Sequence, residues 1–238
     1  MEAIILAGGL GMRLKSIIKD VPKPMANING RPFLAWLLDD FYRQQVSRVL
    51  LSVGYKQESI IHYFGDRYKG MEIAYVREDE PLGTGGAIRK ALTSAHDNAV
   101  VVANGDSFLA LDLPDMLRRH TAGNADLTIA LKRMEQNDRY GTVLVKDDRA
   151  IGFREKSAHG SGYINGGVYA LARERVLSLL EKQPRTFSFE TDFLQKTVDN
   201  INAIVYITGG YFIDIGVPDD YARAQKELDR FITPGARK

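Results

Sequence analysis

The first residues restrict the fold more than any other part of the chain. Ala3-Ile-Ile-Leu-Ala7 is a short apolar run without polar alternation, and it stops at Gly8-Gly9. A strand buried on both faces carries such a run, and strands covered on both sides belong to parallel sheets with helices above and below. The pattern then repeats. Residues 33–44 place Phe33, Leu34, Leu37, Leu38 and Phe41 at helical spacing. Arg48 to Val53 reads as the next strand, 57–64 as a short helix and about 72–76 as a strand, followed by the loop Pro81-Leu-Gly-Thr-Gly-Gly86 and a helix ending near 93. Ala99-Val-Val-Val-Ala103 is the most hydrophobic strand candidate, and it ends at Asn104-Gly105-Asp106. Strand, helix, strand, helix, strand predicts an α/β protein with a largely parallel sheet.

The second half is less regular. Leu127–Leu131, Thr142–Val145, Ile151–Arg154, Gly167–Leu171 and Ile204–Ile207 are strand candidates, with helices expected over 173–182, about 190–198 and 218–230. No repeat, composition break or flexible linker divides the 238 residues, so they read as one domain with a polar tail at 231–238.

Composition removes several functions. Lys plus Arg number 32 against 30 Asp plus Glu, and this balance argues against a nucleic-acid partner. The absence of cysteine rules out disulfides, thiolate zinc sites and cysteine nucleophiles. The histidines (His62, His96, His120, His159) are too scattered for a zinc-hydrolase helix. The N-terminus lacks the basic region and cleavage site of a signal peptide, and no run nears the ~20 apolar residues that span a bilayer. A cytoplasmic protein without membrane attachment is expected.

Leu6-Ala-Gly-Gly-Leu-Gly-Met-Arg-Leu14 sets three glycines and an arginine directly after the first strand. Glycines let backbone N–H groups approach phosphate oxygens, and Arg13 adds a permanent cation. A Rossmann fingerprint starting at Gly9 fails, since it would need glycine where Leu14 stands, and the chain holds no Gly-Lys pair for a Walker loop. Val21-Pro-Lys-Pro-Met25 brackets Lys23 between prolines, which stiffen the backbone on either side.

Leu6 to Leu14 followed by Pro22-Lys-Pro-Met25 resembles the signature of the sugar-phosphate nucleotidyltransferases, the nucleoside-diphosphate-sugar pyrophosphorylases. Pro81-Leu-Gly-Thr-Gly-Gly86, Asn104-Gly-Asp106, Glu155-Lys156, Asn165-Gly-Gly167, Phe189-Glu-Thr-Asp192 and Asp214-Ile-Gly-Val-Pro218 continue it in order. Within that family the details look most like short guanylyltransferases acting on D-glycero-α-D-manno-heptose 1-phosphate. Met12 departs from the pattern, standing where the family usually has Thr or Ser. The resemblance implies a three-layer, Rossmann-like (GT-A-like) fold with a mixed, mostly parallel central sheet. About 1–110 would form the nucleotide-binding half and about 111–230 the sugar-phosphate half, with no C-terminal β-helix.

The implied reaction joins GTP and a sugar 1-phosphate into a GDP-sugar and pyrophosphate, for cell-surface polysaccharide synthesis. Such chemistry needs cations and accurate positioning rather than a protein nucleophile. By resemblance Arg13 and Lys23 are catalytic. Leu6, Ala7, Gly8, Gly9, Gly11, Met12, Arg13, Asn104 and Gly105 hold the nucleotide, together with Pro81, Gly83 and Thr84 of the base loop. Guanine offers adjacent N1–H and N2–H donors that a carboxylate can accept, and Glu78 and Glu80 both precede that loop. Gly141, Glu155, Lys156, Asn165, Gly166 and Glu190 are assigned to the sugar phosphate, and Asp106 and Asp214 to Mg²⁺. Read alone, Asp106 could cap the next turn, Glu155-Lys156 could be a solvated pair, and Glu190 could favour a helix dipole. Other readings are mannose 1-phosphate or another sugar phosphate as acceptor, ATP, UTP or dTTP as donor, and a non-catalytic regulatory subunit. The last would be expected to have lost Lys23, Asp106 or Asp214. A metal-dependent glycosyltransferase would need an Asp-x-Asp triplet, which is absent. A homodimer through the sugar half is compatible with the sequence.

Overall fold

The structure is a computed structural model that describes residues 1–9, 21–137, 139–155 and 160–232. In the N-terminal half the strands are β1 (Glu2–Leu6), β2 (Asn27–Ile28), β3 (Arg31–Pro32), β4 (Arg48–Val53), β5 (Arg67–Tyr68), β6 (Met71–Arg77) and β7 (Ala99–Asn104). Between them lie α1 (Phe33–Arg43), α2 (Gln57–Phe64) and α3 (Gly83–Leu92). The rest carries β8 (Ser107–Leu109), α4 (Leu113–Ala122), β9 (Leu127–Asn137), β10 (Thr142–Lys146), β11 (Arg149–Arg154), β12 (Gly160–Ala172) and α5 (Arg173–Leu180). It ends with a π-helical turn (Phe189–Leu194), α6 (Gln195–Thr197), β13 (Ala203–Thr208), β14 (Phe212–Asp214) and α7 (Pro218–Ile232).

Ten strands form one sheet in the order β10-β11-β13-β9-β12-β7-β1-β4-β6-β5. Parallel pairing runs through β7-β1-β4-β6 and recurs at β13–β9, while the other neighbours are antiparallel. The expected parallel character therefore dominates the N-terminal half, and the second half is mostly antiparallel apart from β13–β9. There, crossover helices return the chain to the same end of the sheet, whereas a short turn between β10 and β11 forces antiparallel pairing.

The alternation of a doubly buried strand separates two cores. Ala3, Ile5, Val101 and Ala103 face a layer containing α1, α4 and α7, through residues such as Phe33, Leu34, Met116 and Leu228. Ile4, Val100 and Val102 face α3, α5 and the π-helical turn, through Ile88, Val176 and Phe189. The sheet is thus the middle of three layers.

Several boundaries differ from the sequence reading. Pro81–Gly86 is not a loop before a helix, because α3 already starts at Gly83. Helix α4 was not anticipated, although Asp112 caps it by accepting the Asp115 amide at 2.8 Å. The strand read as Gly167–Leu171 begins at Gly160 and crosses the Asn165-Gly-Gly segment with a register shift. The helix read near 190–198 is a π-helical turn followed by a three-residue helix. Residues 231–232, assigned to the tail, close α7.

Candidate active site

The C-terminal ends of β1 and β7 lie side by side, with Leu6 paired to Asn104, and the Gly105 amide donates to the Leu6 carbonyl at 2.9 Å. Open α/β sheets place ligands at such strand ends. From here the chain turns through Asp106 into β8, which pairs antiparallel with β14 so that Ser107 faces Asp214. The Ile215 amide closes this corner on the Asp106 carbonyl at 3.0 Å. Pairing between these two three-residue strands is what brings Asp106 and Asp214 together.

Lys23 arrives from a different direction, on the 3₁₀ turn Lys23–Met25 behind Pro22. Its Nζ lies 2.6 Å from Asp106 Oδ2 and 3.4 Å from Asp214 Oδ1. Two carboxylates thus share one cation. No cluster of three or more metal-ligating side chains occurs among the described residues. Mg²⁺ usually takes one or two carboxylates plus waters and substrate phosphates, so this pair of hard oxygen donors, already bracketing a positive charge, fits it. Leu10, Gly11, Met12, Arg13 and Lys156 lie outside the described residues.

The two carboxylates ahead of Pro81 part company. Glu78 accepts from the Ser52 hydroxyl at 3.0 Å and the Leu82 amide at 3.2 Å. It rests against Gly8, where a Cβ would come within 2.5 Å of Glu78 Oε1. Glu80 is exposed and paired with Arg185. Pro81 is also exposed. Gly83 has φ +70°, and a Cβ on Gly85 would stand 2.1 Å from the Phe187 ring. These glycines let the chain at Phe187 lie directly on the first turn of α3.

A cavity of about 630 Å³ opens beside the aspartates. Thr84, Asn104, Asp106, Gly141, Glu155, Asn165, Gly166, Glu190 and Asp214 all line it, drawn from both halves of the chain. Leu6–Gly9, Glu78, Glu80, Pro81, Gly83 and Gly105 do not, and Lys23 reaches it only through its contacts with the aspartates. Tyr140 packs edge-on against Phe212, with ring centroids 5.8 Å apart. Burial, reinforced by the charge of Asp214, pushes its hydroxyl pKa up to about 12. An ion pair between Arg139 and the nearly buried Asp220 ties this strand entry to the start of α7.

Ser107, Phe153, Arg154, Tyr169, Gln195 and Phe212 also line the cavity and were not singled out from sequence. Arg154 adjoins Glu155, Ser107 adjoins Asp106, and Phe212 precedes Asp214 by two residues, so their positions carried a signal. Tyr169 and Gln195 had none, since a tyrosine in an apolar strand and a glutamine after a helical turn are ordinary.

A three-layer sheet with a cavity at its strand ends is the architecture of nucleotide-handling α/β proteins, and the whole-chain comparison gives the class. Residues 2–230 match the model of the nucleotidyl transferase family, and the chain belongs to that family. It is 50% identical over 232 residues to D-glycero-α-D-manno-heptose 1-phosphate guanylyltransferase of Aneurinibacillus thermoaerophilus, covering 98% of this chain and 100% of that one. The enzyme of the same name from Campylobacter jejuni is 47% identical over 224 residues, with 93% and 97% covered. The crystal structure of HddC from Yersinia pseudotuberculosis complexed with GMP-PN superposes with a TM-score of 0.84 at 37% identity, covering 95% and 99%. No helix among the described residues is long and apolar enough to cross a membrane.

Proposed function

We propose that this nucleotidyltransferase joins GTP to D-glycero-α-D-manno-heptose 1-phosphate, releasing pyrophosphate and GDP-heptose as an activated sugar for cell-surface polysaccharide. The observation that carries this reading is the cavity in which Asp106 and Asp214, held by Lys23, face Glu155, Asn165 and Glu190. It is supported by the name shared by two relatives that match over nearly their whole length. Use of GTP places the reaction in the cytoplasm.

An oxygen of the sugar phosphate attacks the α-phosphorus of GTP, a new P–O bond forms, and the bond to the β,γ-pyrophosphate breaks in line with it. Negative charge gathers on the transferring group and the leaving pyrophosphate, so preorganised cations lower the barrier. Arg13 and Lys23 serve the nucleotide phosphates and Lys156 the acceptor phosphate. Asp106 and Asp214 would hold Mg²⁺, which when bound would supply further charge neutralisation for the phosphates. Lys23 keeps the two carboxylates aligned and paired until substrate arrives.

Glu78 is the base reader in this account. A carboxylate has roughly four acceptor positions. Glu78 spends one on each oxygen, toward Ser52 and Leu82, which leaves one per oxygen for the N1–H and N2–H of guanine. Exposed Glu80 is engaged by Arg185 instead.

Pyrophosphate release from a matrix of GTP, ATP, UTP and dTTP against heptose, mannose and glucose 1-phosphates tests the proposal. Highest kcat/KM for GTP with the heptose phosphate is expected. A preference for ATP, UTP or dTTP overturns the base assignment, and equal use of mannose 1-phosphate overturns the acceptor assignment.

A further inference from the structure

Glu190 sits at the centre of a hydrogen-bond arrangement whose directions are all determined. Tyr169 OH receives the Asn165 amide N–H at 2.7 Å, so its one proton is free to go to Glu190 Oε1, 3.3 Å away. Thr84 Oγ1 receives the Phe189 backbone N–H at 2.8 Å and donates to Glu190 Oε2 at 2.7 Å. Ser188 Oγ receives the Thr191 backbone N–H at 3.2 Å and donates to the same oxygen at 3.1 Å. Each hydroxyl has a single proton, and an N–H donor behind it orients that proton toward the carboxylate. Tyr169 is fully buried, and burial together with the charge of Glu190 raises its hydroxyl well above the ordinary phenol range, so it stays a donor.

Three of roughly four acceptor positions on Glu190 are thereby filled, both of those on Oε2 and one of those on Oε1. Among the described residues one position on Oε1 remains, on a side chain that lines the cavity. We infer that Thr84 and Tyr169 are positioning residues for the sugar subsite, together leaving Glu190 a single oriented acceptor for one sugar hydroxyl. Thr84 lies in the segment assigned by resemblance to the base. Its one proton goes to Glu190 and one of its lone pairs to the Phe189 N–H, which ties it to the acceptor side of the site. It also joins the first turn of α3 to the π-helical turn that bears Glu190.

The inference rests on the nucleotidyl-transfer reading but not on the identity of the sugar. Its test uses whichever sugar 1-phosphate the wild-type enzyme turns over fastest, so a wrong heptose assignment leaves it intact. Steady-state kinetics of Thr84→Val, Thr84→Ser and Tyr169→Phe are compared with wild type, alongside melting temperatures. Thr84→Val keeps the side-chain shape but lets Glu190 rotate. KM for the sugar phosphate should rise about tenfold, as for loss of a hydrogen bond to a charged group, with KM for the nucleotide unchanged. Thr84→Ser should restore wild-type KM, and Tyr169→Phe should reproduce the valine effect. A rise in nucleotide KM with sugar KM unchanged in Thr84→Val would return Thr84 to the base site and overturn the inference. Equal loss in the serine and valine variants, tracking a fall in melting temperature, would overturn it as well.

Discussion

Lys23 Nζ stands 2.6 Å from Asp106 Oδ2, although 83 residues of chain separate them. The lysine side chain is 13% exposed and the aspartate 39%, so the pair sits at the mouth of the site rather than in the core. Asp214 Oδ1 approaches the same ammonium at 3.4 Å. Removing the lysine leaves two neighbouring carboxylates without their shared cation.

Lys23→Met is therefore expected to keep the fold and lose rate. Turnover should fall ~10²-fold, as when other preorganised electrostatic groups are removed. The Mg²⁺ concentration giving half-maximal rate should not increase, because both carboxylates remain and no ammonium competes for them. Mg²⁺ titrations of initial rate, with a melting curve for each protein, check this. A main effect on melting temperature would make the Pro-Lys-Pro bracket a structural device.

If Glu78 accepts from both guanine donors, inosine triphosphate should be a weaker substrate than GTP, since it keeps N1–H but lacks the N2 amine. Loss of one bond to a carboxylate costs about 1.5–3 kcal/mol, roughly tenfold or more in kcat/KM. Glu78→Gln should shrink the GTP-to-inosine triphosphate ratio, whereas Glu80→Gln should leave it unchanged. Rate ratios for the three proteins decide which carboxylate, if either, reads the base.

Gly85 accommodates the Phe187 ring, which is 4% exposed. Gly85→Ala should destabilise the protein by about 1–3 kcal/mol, the usual cost of overpacking a filled site. Adding Phe187→Leu should recover part of that loss by vacating the space the methyl needs. Denaturant midpoints of the single and double variants measure both steps.

His120 is 2% exposed, and its Nδ1 lies 2.8 Å from Thr128 Oγ1. Burial lowers its pKa to about 4, and the charge of Arg175 adds to this against an opposing effect of Asp126. The unfolded imidazole titrates near 6.5, so the unfolded chain takes up the proton first as pH falls. Stability from this site is complete above about pH 6.5 and declines toward pH 4 by on the order of 2 kcal/mol. Calorimetric melting across that window should show a shallower acid decline in His120→Gln than in wild type.

The sequence was most readable where local chemistry and tertiary burial agree. Arg48–Val53 and Gln57–Phe64 occur at the bounds read from their apolar patterns, because turn residues flank each run. Helix α4 was not anticipated, although Pro114 in its first turn costs no helical N–H and is compatible with a helix start. Strands β8 and β14 hold three residues each and exist only by pairing with one another from distant segments, so no local period announces them. The placement of Asp214 beside Asp106 was for that reason available from resemblance alone. Thr84, read as part of a base loop, shows the same limit: its partner Glu190 lies 106 residues away, and nothing near Thr84 in sequence points to it.

The acceptor is tested most directly by competition. Equimolar D-glycero-α-D-manno-heptose 1-phosphate and mannose 1-phosphate, offered together with GTP to the purified enzyme, form products in the ratio of their kcat/KM values. Mass spectrometry of the early reaction should find GDP-heptose in excess by about tenfold or more, the discrimination a missing polar contact provides. GDP-mannose in equal or greater amount would contradict heptose guanylyl transfer as the reaction of this site.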